Sequence, residues 1–316
     1  MEVDVSDHEK RDATSGGAGG VSGAGVERGE RGAGGAGVSG ERGAGGVAEV
    51  VARGGPRAQL VFLTTALRNN LASAIEYRTS FITQLVGMLI NDSLWVLFWA
   101  LYFERFPVLK GWQREDLFLM WGVITFAFGI AFGLFAQVLR LAELIAAGQL
   151  DYYLALPKNV LLQIMCGQVR PANLGDLLFG PLLLMLFVPL SAEQWLWYFV
   201  ASSLAAFVYL GFFILAGSLA FFLGSSEALA NGIGMTLIHF STYPSRIFSG
   251  GTRVILFTLI PAAFIAEVPV DLVRRFSWSD LGLMFAGGVG FFVIGAAVFH
   301  LGLRRYESGN MLVLRS

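Results

Sequence analysis

LFLMWGVITFAFGIAFGLFAQV, residues 117–138, carries no Asp, Glu, Lys or Arg. An apolar run of 18 or more residues is long enough to cross the hydrocarbon core of a bilayer as a helix. The same reading applies outward along the chain. Residues 79–103 form a first span, interrupted in composition by Asn91, Asp92 and Ser93, and 117–138 form the second. The third is 174–190, with Asp176 near one end and Pro181 inside, and the fourth is 195–223, long enough to tilt. Residues 228–243 make a short fifth, and 281–303 the last. The whole chain is 55% hydrophobic and 14% charged, against about 25% charged in a soluble domain. It reads as an all-α integral membrane protein.

Residues 1–55 have another character. Glycine dominates, GERGAGGAG (29–37) recurs nearly intact as GERGAGGVA (40–48), and aromatics are absent. Such a segment has too little apolar surface to offset the entropy of ordering. It is expected to be a flexible cytoplasmic tail, followed by one membrane domain at 56–316. No apolar core follows MEVDVSDHEKR, so a secretory signal is not expected there. In 58–78, Leu60, Leu63, Leu67, Leu71, Ala74 and Ile75 recur at threes and fours, while Arg68, Asn69, Asn70 and Glu76 fall largely elsewhere on the wheel. That spacing predicts an amphipathic helix at the membrane surface.

Between the fifth and last spans, 254–268 is short for a crossing and carries Pro261, which suits a re-entrant or interfacial hairpin. Arg53, Arg57, Arg68 and Arg78 before the first span, and Arg304 and Arg305 after the last, favour both termini in the cytoplasm. Two ends on one side require an even number of spans, and six satisfies this if 254–268 does not cross. With six, the cytoplasmic side from residue 53 onward carries ten Lys/Arg and the outside seven, an asymmetry of the right sign. The expected location is the plasma membrane, multi-pass. No basic stripe suggests nucleic acid.

This topology puts RLAELIAAGQLDYYLALPKN (140–159) in the cytoplasm between spans two and three. Residues 138–147 should continue helical from the span. Gly148 should stop the helix, because glycine accepts the left-handed conformation. Asp151 can cap the next turn, and Pro157 prevents continuation. The result is a short helix presenting Leu150, Tyr152, Tyr153, Leu154 and Leu156, which either lies on the membrane or fills a pocket in a partner.

GQLDYYLALP (148–157) resembles the cytoplasmic loop of permease subunits of ATP-binding-cassette (ABC) exporters of the type-2 class, the ABC-2 family. Glu76-Tyr77-Arg78 before the first span, YPSRIF (243–248) with TLIPAAFIAEVP (258–269), and GLRRYESGN (302–310) resemble the same family in the same order. The resemblance runs from about residue 60 to 310. It implies a coupling helix between spans two and three that sits in a cleft on an ATPase subunit, with the contact on Glu143, Gly148, Leu150, Asp151, Tyr152, Leu156 and Pro157. It further implies two copies of the ATPase carrying ATP and Mg, and a second permease copy or paralogue. Membrane lipids surround the spans, and the chain itself binds no cofactor. A membrane-surface loop without a partner is the competing reading of 140–159.

The chain's three lysines, Lys10, Lys110 and Lys158, do not follow a glycine, so no P-loop of the Gly-Lys-Ser/Thr kind is present. ATP hydrolysis is expected on a separate polypeptide, and this chain is not expected to be an enzyme. His8, His239 and His300 are isolated and the single cysteine, Cys166, reads as a small buried hydrophobe. An intramembrane carboxylate must face protein or water, so Asp92 with Asn91 reads either as part of a translocation path or as a structural hydrogen bond. Trp95, Phe98, Trp99 and Phe126 are path candidates by position, and an apolar, aromatic path suits an amphiphilic or lipid-like substrate. Each of them reads at least as well as core or lipid-facing surface. Asp176 is expected near the cytoplasmic interface, paired with Arg170 or water, and Glu227 at the start of the fifth span. Gly287, Gly288, Gly290 and Gly295 suit either subunit association or close packing within the chain. Two other functions fit less of the sequence. An ion-gradient carrier would need paired intramembrane charges and an inverted repeat; a non-transporting scaffold would need neither.

Overall fold

The computed structural model describes residues 55–156, 158–224 and 226–306. The expected glycine-rich tail, Pro157 and the end of the GLRRYESGN segment lie outside the described residues. Within them the chain is helical, with one isolated bridge between Leu109 and Trp112. That bridge closes a tight turn in which Lys110 and Gly111 both have positive φ, 51° and 89°, as a two-residue reversal requires.

Helix α1 is Pro56–Glu76 and α2 is Arg78–Arg105. They part at Tyr77, whose φ of −90° and ψ of 69° are not helical. Helix α3, Arg114–Phe128, starts with a capping box in which Asp116 accepts from the Gln113 backbone N–H at 2.9 Å. It runs on as a π-helical turn, Gly129–Leu134, then a 3-10 turn, Ala136–Arg140. Three short helices follow: α4 (Leu141–Ala146), α5 (Leu150–Leu154) and α6 (Val160–Met165). Next come α7 (Pro171–Phe187) and α8 (Ala192–Ser218), the latter with a Ser191–Gln194 capping box and a last turn at Ala220–Leu223. Helix α9 is Glu227–Ser241, α10 Gly251–Thr258, α11 Ala263–Arg274 and α12 Trp278–Leu303.

Four segments are long and apolar enough to cross a membrane: Arg78–Arg105, Arg114–Leu134, Ala192–Leu223 and Trp278–Leu303. This is a multi-pass membrane protein. Helix α7 is apolar but shorter, at 17 residues, and α9 has 15 residues. The predicted hairpin region is a helix pair bent by 89°. Pro261 lies in the break at 259–262, where a missing N–H and a fixed φ stop a helix.

The core is built on α3 and α8. Other helices bury 78% of the apolar stretch of α3 and 67% of that of α8, against 17% for α2 and 22% for α12. Two buried tyrosines tie helices across this core: Tyr198 Oη donates to the Gly122 carbonyl at 3.0 Å, and Tyr209 shares a 2.7 Å bond with Ser241. Small residues set the spacing between α8 and α12. A Cβ on Gly288 would stand 2.8 Å from the Leu204 carbonyl oxygen, and one on Gly295 would meet the Gly211 carbonyl. Gly287 lies against the Phe264 ring, while Gly290 faces open space. Close packing within the chain therefore occupies three of the four glycines that the sequence also offered for association.

Several local expectations are corrected. Residues 138–147 do not continue the α3 helix, because the chain after α6 docks against its end. Arg170 N–H donates to the Gly133 carbonyl at 2.9 Å, and Ala136 N–H to the Gln168 carbonyl at 3.1 Å. Both groups are thereby diverted from the helix ladder, and Phe135 leaves helical geometry. Asp151 is not the cap of α5. Gln149 holds that position and Asp151 lies in the first turn. On α1, Leu63, Leu67, Leu71 and Ala74 are half-buried, but Leu60 and Ile75 are exposed. Asn70, expected on the polar face, points inward and donates to the Cys166 carbonyl at 2.6 Å.

Candidate functional site

Two places carry the chemistry that the sequence singled out. The first is the segment 140–159. Gly148 has φ of 68° and does end the preceding helix. The turn after it is tied down on three sides. Tyr153 Oη accepts from Gln137 Nε2 at 2.5 Å, and the Tyr153 carbonyl accepts from buried Gln163 at 3.3 Å. Lys158 Nζ stands 4.1 Å from the centre of the Phe62 ring on α1. Asp151 bonds Tyr306, just past α12; burial, then the Asp151 charge and that bond, push the phenol up to about 12. Tyr306 therefore keeps its proton at neutral pH and donates it to Asp151. Glu143 pairs with Arg140 at 2.6 Å, and the bond holds its carboxyl below the usual glutamate value.

Three large hydrophobic side chains face outward from this braced turn, beside exposed Gln149 and Asp151. Tyr152 is 71% exposed, Leu154 45% and Leu156 41%. Leu150 is the correction in the expected contact set: it is fully buried in the core and has no surface to offer. Its burial anchors α5, and the hydrophobic residues free to meet anything else are Tyr152, Leu154 and Leu156. Pro157 lies outside the described residues. Tyr306→Phe should leave the fold intact and speed amide exchange of 150–154 several-fold, since a net hydrogen bond is worth about 1 kcal/mol. Hydrogen-exchange mass spectrometry reads this directly.

The second place is a cavity of about 300 Å³ between α2, α3, α7 and α9. Asn91, Asp92 and Trp95 line it together with Asp176, Thr125 and Trp121. Asp176 is thus turned into this cavity rather than paired with Arg170. It is 1% exposed, accepts from Asn173 at 3.1 Å and interacts with the Asp92 carboxyl. Helix α7 packs closely on α2 next to it: a Cβ on Gly175 would stand 3.1 Å from the Leu85 carbonyl oxygen, so the helices leave little room between them there. The Trp95 and Trp121 rings stack with centroids 5.6 Å apart. The other path candidates lie elsewhere. Phe98 is exposed beside Trp99, and Trp99 is buried against Tyr102 and Tyr243. Phe126 packs on Tyr198 and Phe199. A charge inside an otherwise uncharged run was the available signal for Asp176. Trp121 and Thr125 carried none, since an apolar helix looks alike on every face.

On α11, Glu267 is 3% exposed and gathers three donors: Ser245 at 2.6 Å, Arg246 at 2.9 Å and Arg253 at 2.8 Å. Arg246 also pairs with Asp271 at 2.7 Å. Arg274 meets Asp116 at 3.0 Å, joining α11 to the start of α3. Burial works against the Arg246 cation, yet Glu267 and Asp271 more than offset it and hold its pKa above the ordinary value. Glu267→Gln should destabilise the chain by about 2 kcal/mol. This is less than the roughly 3–5 for breaking a fully buried pair, because the arginine side chains are 37% and 48% exposed and so partly screened. A thermal melt in detergent checks this.

The family described as ABC-2 family transporter protein matches residues 89–309, well over half of the chain. Comparison with curated proteins and with solved structures found no match.

Proposed function

Because the chain belongs to the ABC-2 family of transporter proteins, and is an ABC transporter permease with multiple membrane helices, we propose that it is the membrane half of an exporter powered by a separate ATPase. The observation that carries this reading is the braced turn α5. It turns apolar side chains outward from a mount tied to α1, α6 and the end of α12. A loop that only rested on lipid would need no such mount. A coupling helix does, because it must pass a push from a nucleotide-driven partner to the spans without absorbing it.

In this reading α7 and α9 cross with the four longer segments, giving six spans with both termini in the cytoplasm. The bent pair α10–α11 dips in and returns. Support for the dip comes from its two ends: Phe264 packs against Gly287, well inside α12, while Arg274 reaches Asp116 at the start of α3. Two permease subunits, as copies or paralogues, enclose the path. ATP binding draws two ATPase subunits together, the α5 turns move with them, and the path opens outward; hydrolysis resets it. The apolar, aromatic walls suit an amphiphilic substrate.

The test is recovery of the tagged chain from solubilised membranes of its host after brief cross-linking. A subunit bearing a Gly-Lys-Ser/Thr phosphate loop should come with it. A well-folded chain that brings none would overturn the reading and leave a non-transporting membrane component.

A further inference from the structure

We propose that the cavity between α2, α3, α7 and α9 is a binding site for an organic cation, within one permease subunit. The proposal rests on the exporter reading above and narrows its amphiphilic substrate to one that carries positive charge.

Asp92 and Asp176 are 3% and 1% exposed, and both line the cavity. The two carboxyls lie close enough to interact directly. Two carboxyls so placed can hold one proton between them, which leaves the pair a charge of about −1 as long as only that proton is held. Asn173 donates to Asp176 and Asn91 serves Asp92, but apart from a proton shared within the pair no side-chain or backbone donor of the described residues reaches Asp92 Oδ2 or Asp176 Oδ1. A buried anion is retained only when something pays its desolvation, normally a cation or a set of donors. Neither Lys nor Arg is among the lining residues, and the one basic side chain there, His239, is exposed.

The rest of the wall states what kind of cation would fit. It is predominantly apolar, with Met88, Ile124, Phe128 and Ile238 around the acids. Trp95, Trp121 and Tyr243 add aromatic faces. Aromatic faces attract cations whose charge is spread over an apolar surface. A small inorganic ion would require more oxygen ligands, and among the described residues no group of three or more His, Cys, Asp or Glu side chains is placed to hold a metal ion. The volume of about 300 Å³ is at the lower end of small-molecule pockets. An aryl-alkylammonium group matches it in size, charge and surface.

The experiment uses the full chain in lipid nanodiscs, without the ATPase. The probe is benzyltrimethylammonium, and its neutral isostere neopentylbenzene is the control. Binding is read by equilibrium dialysis and by quenching of tryptophan emission. The cation should bind saturably and the isostere at least tenfold more weakly. Asp92→Asn should weaken the cation at least tenfold and leave the isostere unchanged. Trp95→Ala, at an exposed ring that is not itself part of the buried core, should weaken the cation several-fold. It keeps the test decisive if the aspartate variant fails to fold. Equal affinity for cation and isostere, or unchanged cation binding in a folded Asp92→Asn or Trp95→Ala chain, would overturn the proposal. If the cation fails to bind while an ATPase still co-purifies, the site alone falls and the exporter reading stands.

Discussion

Tyr152→Asp combined with Leu156→Asp should abolish recovery of the ATPase subunit and any ATP-driven export, while the chain still folds and inserts. Both side chains are exposed, 71% and 41%, so their replacement removes nothing from the core. In a partner's cleft the same change is severe. Aromatic and aliphatic anchors at interface centres cost roughly 2 kcal/mol or more each when truncated, and a carboxylate there must also be desolvated. Even with incomplete additivity, affinity should fall at least about a hundredfold. The measurement is quantitative co-purification against the parent, with melting temperature as the control for folding. Leu150 is the wrong choice for this test. It is fully buried, so an aspartate there would unfold α5 and mimic loss of contact. Unchanged recovery with the double variant would mean that α5 is not the contact.

Gly295→Leu should prevent stable folding, while Gly290→Leu, five residues earlier on the same helix, should have almost no effect. Gly295 sits where α12 crosses α8, and its missing Cβ makes room for the Gly211 carbonyl. The obstacle is backbone, which cannot swing aside as a side chain would. Overpacking typically costs about 1–3 kcal/mol, and a clash with main chain belongs at or above the top of that range. Gly290 has open space beyond its Cα, and a leucine there would meet lipid or a second subunit. Fluorescence-detected size exclusion after solubilisation separates the two: a monodisperse peak for Gly290→Leu, aggregate or loss for Gly295→Leu. Two similar profiles would show that α8 and α12 can part without cost.

The membrane class, the existence of each long helix, the stop at Gly148 and the break around Pro261 were legible in the sequence. Each rests on a local property: apolar length, a positive φ that glycine accepts, a missing N–H. The segment 140–159 could be singled out for the same reason, since charge and turn residues stand out against uncharged surroundings.

The pairing of Asp92 with Asp176 was not legible. The residues are 84 positions apart, and the backbone approach at Gly175 that brings α7 against α2 leaves no periodic trace. Nor could periodicity reveal that Leu150 turns inward while Tyr152 turns outward, or that Asn70 leaves the polar face of α1 to bond the Cys166 carbonyl. In a span where nearly every residue is apolar, lipid and protein core make the same demand on composition. The sequence by itself thus determined that this chain lives in a membrane and where its long apolar helices lie. Only the tertiary structure decided which faces of those helices meet, because that choice depends on shape and on buried polar partners rather than on hydrophobicity.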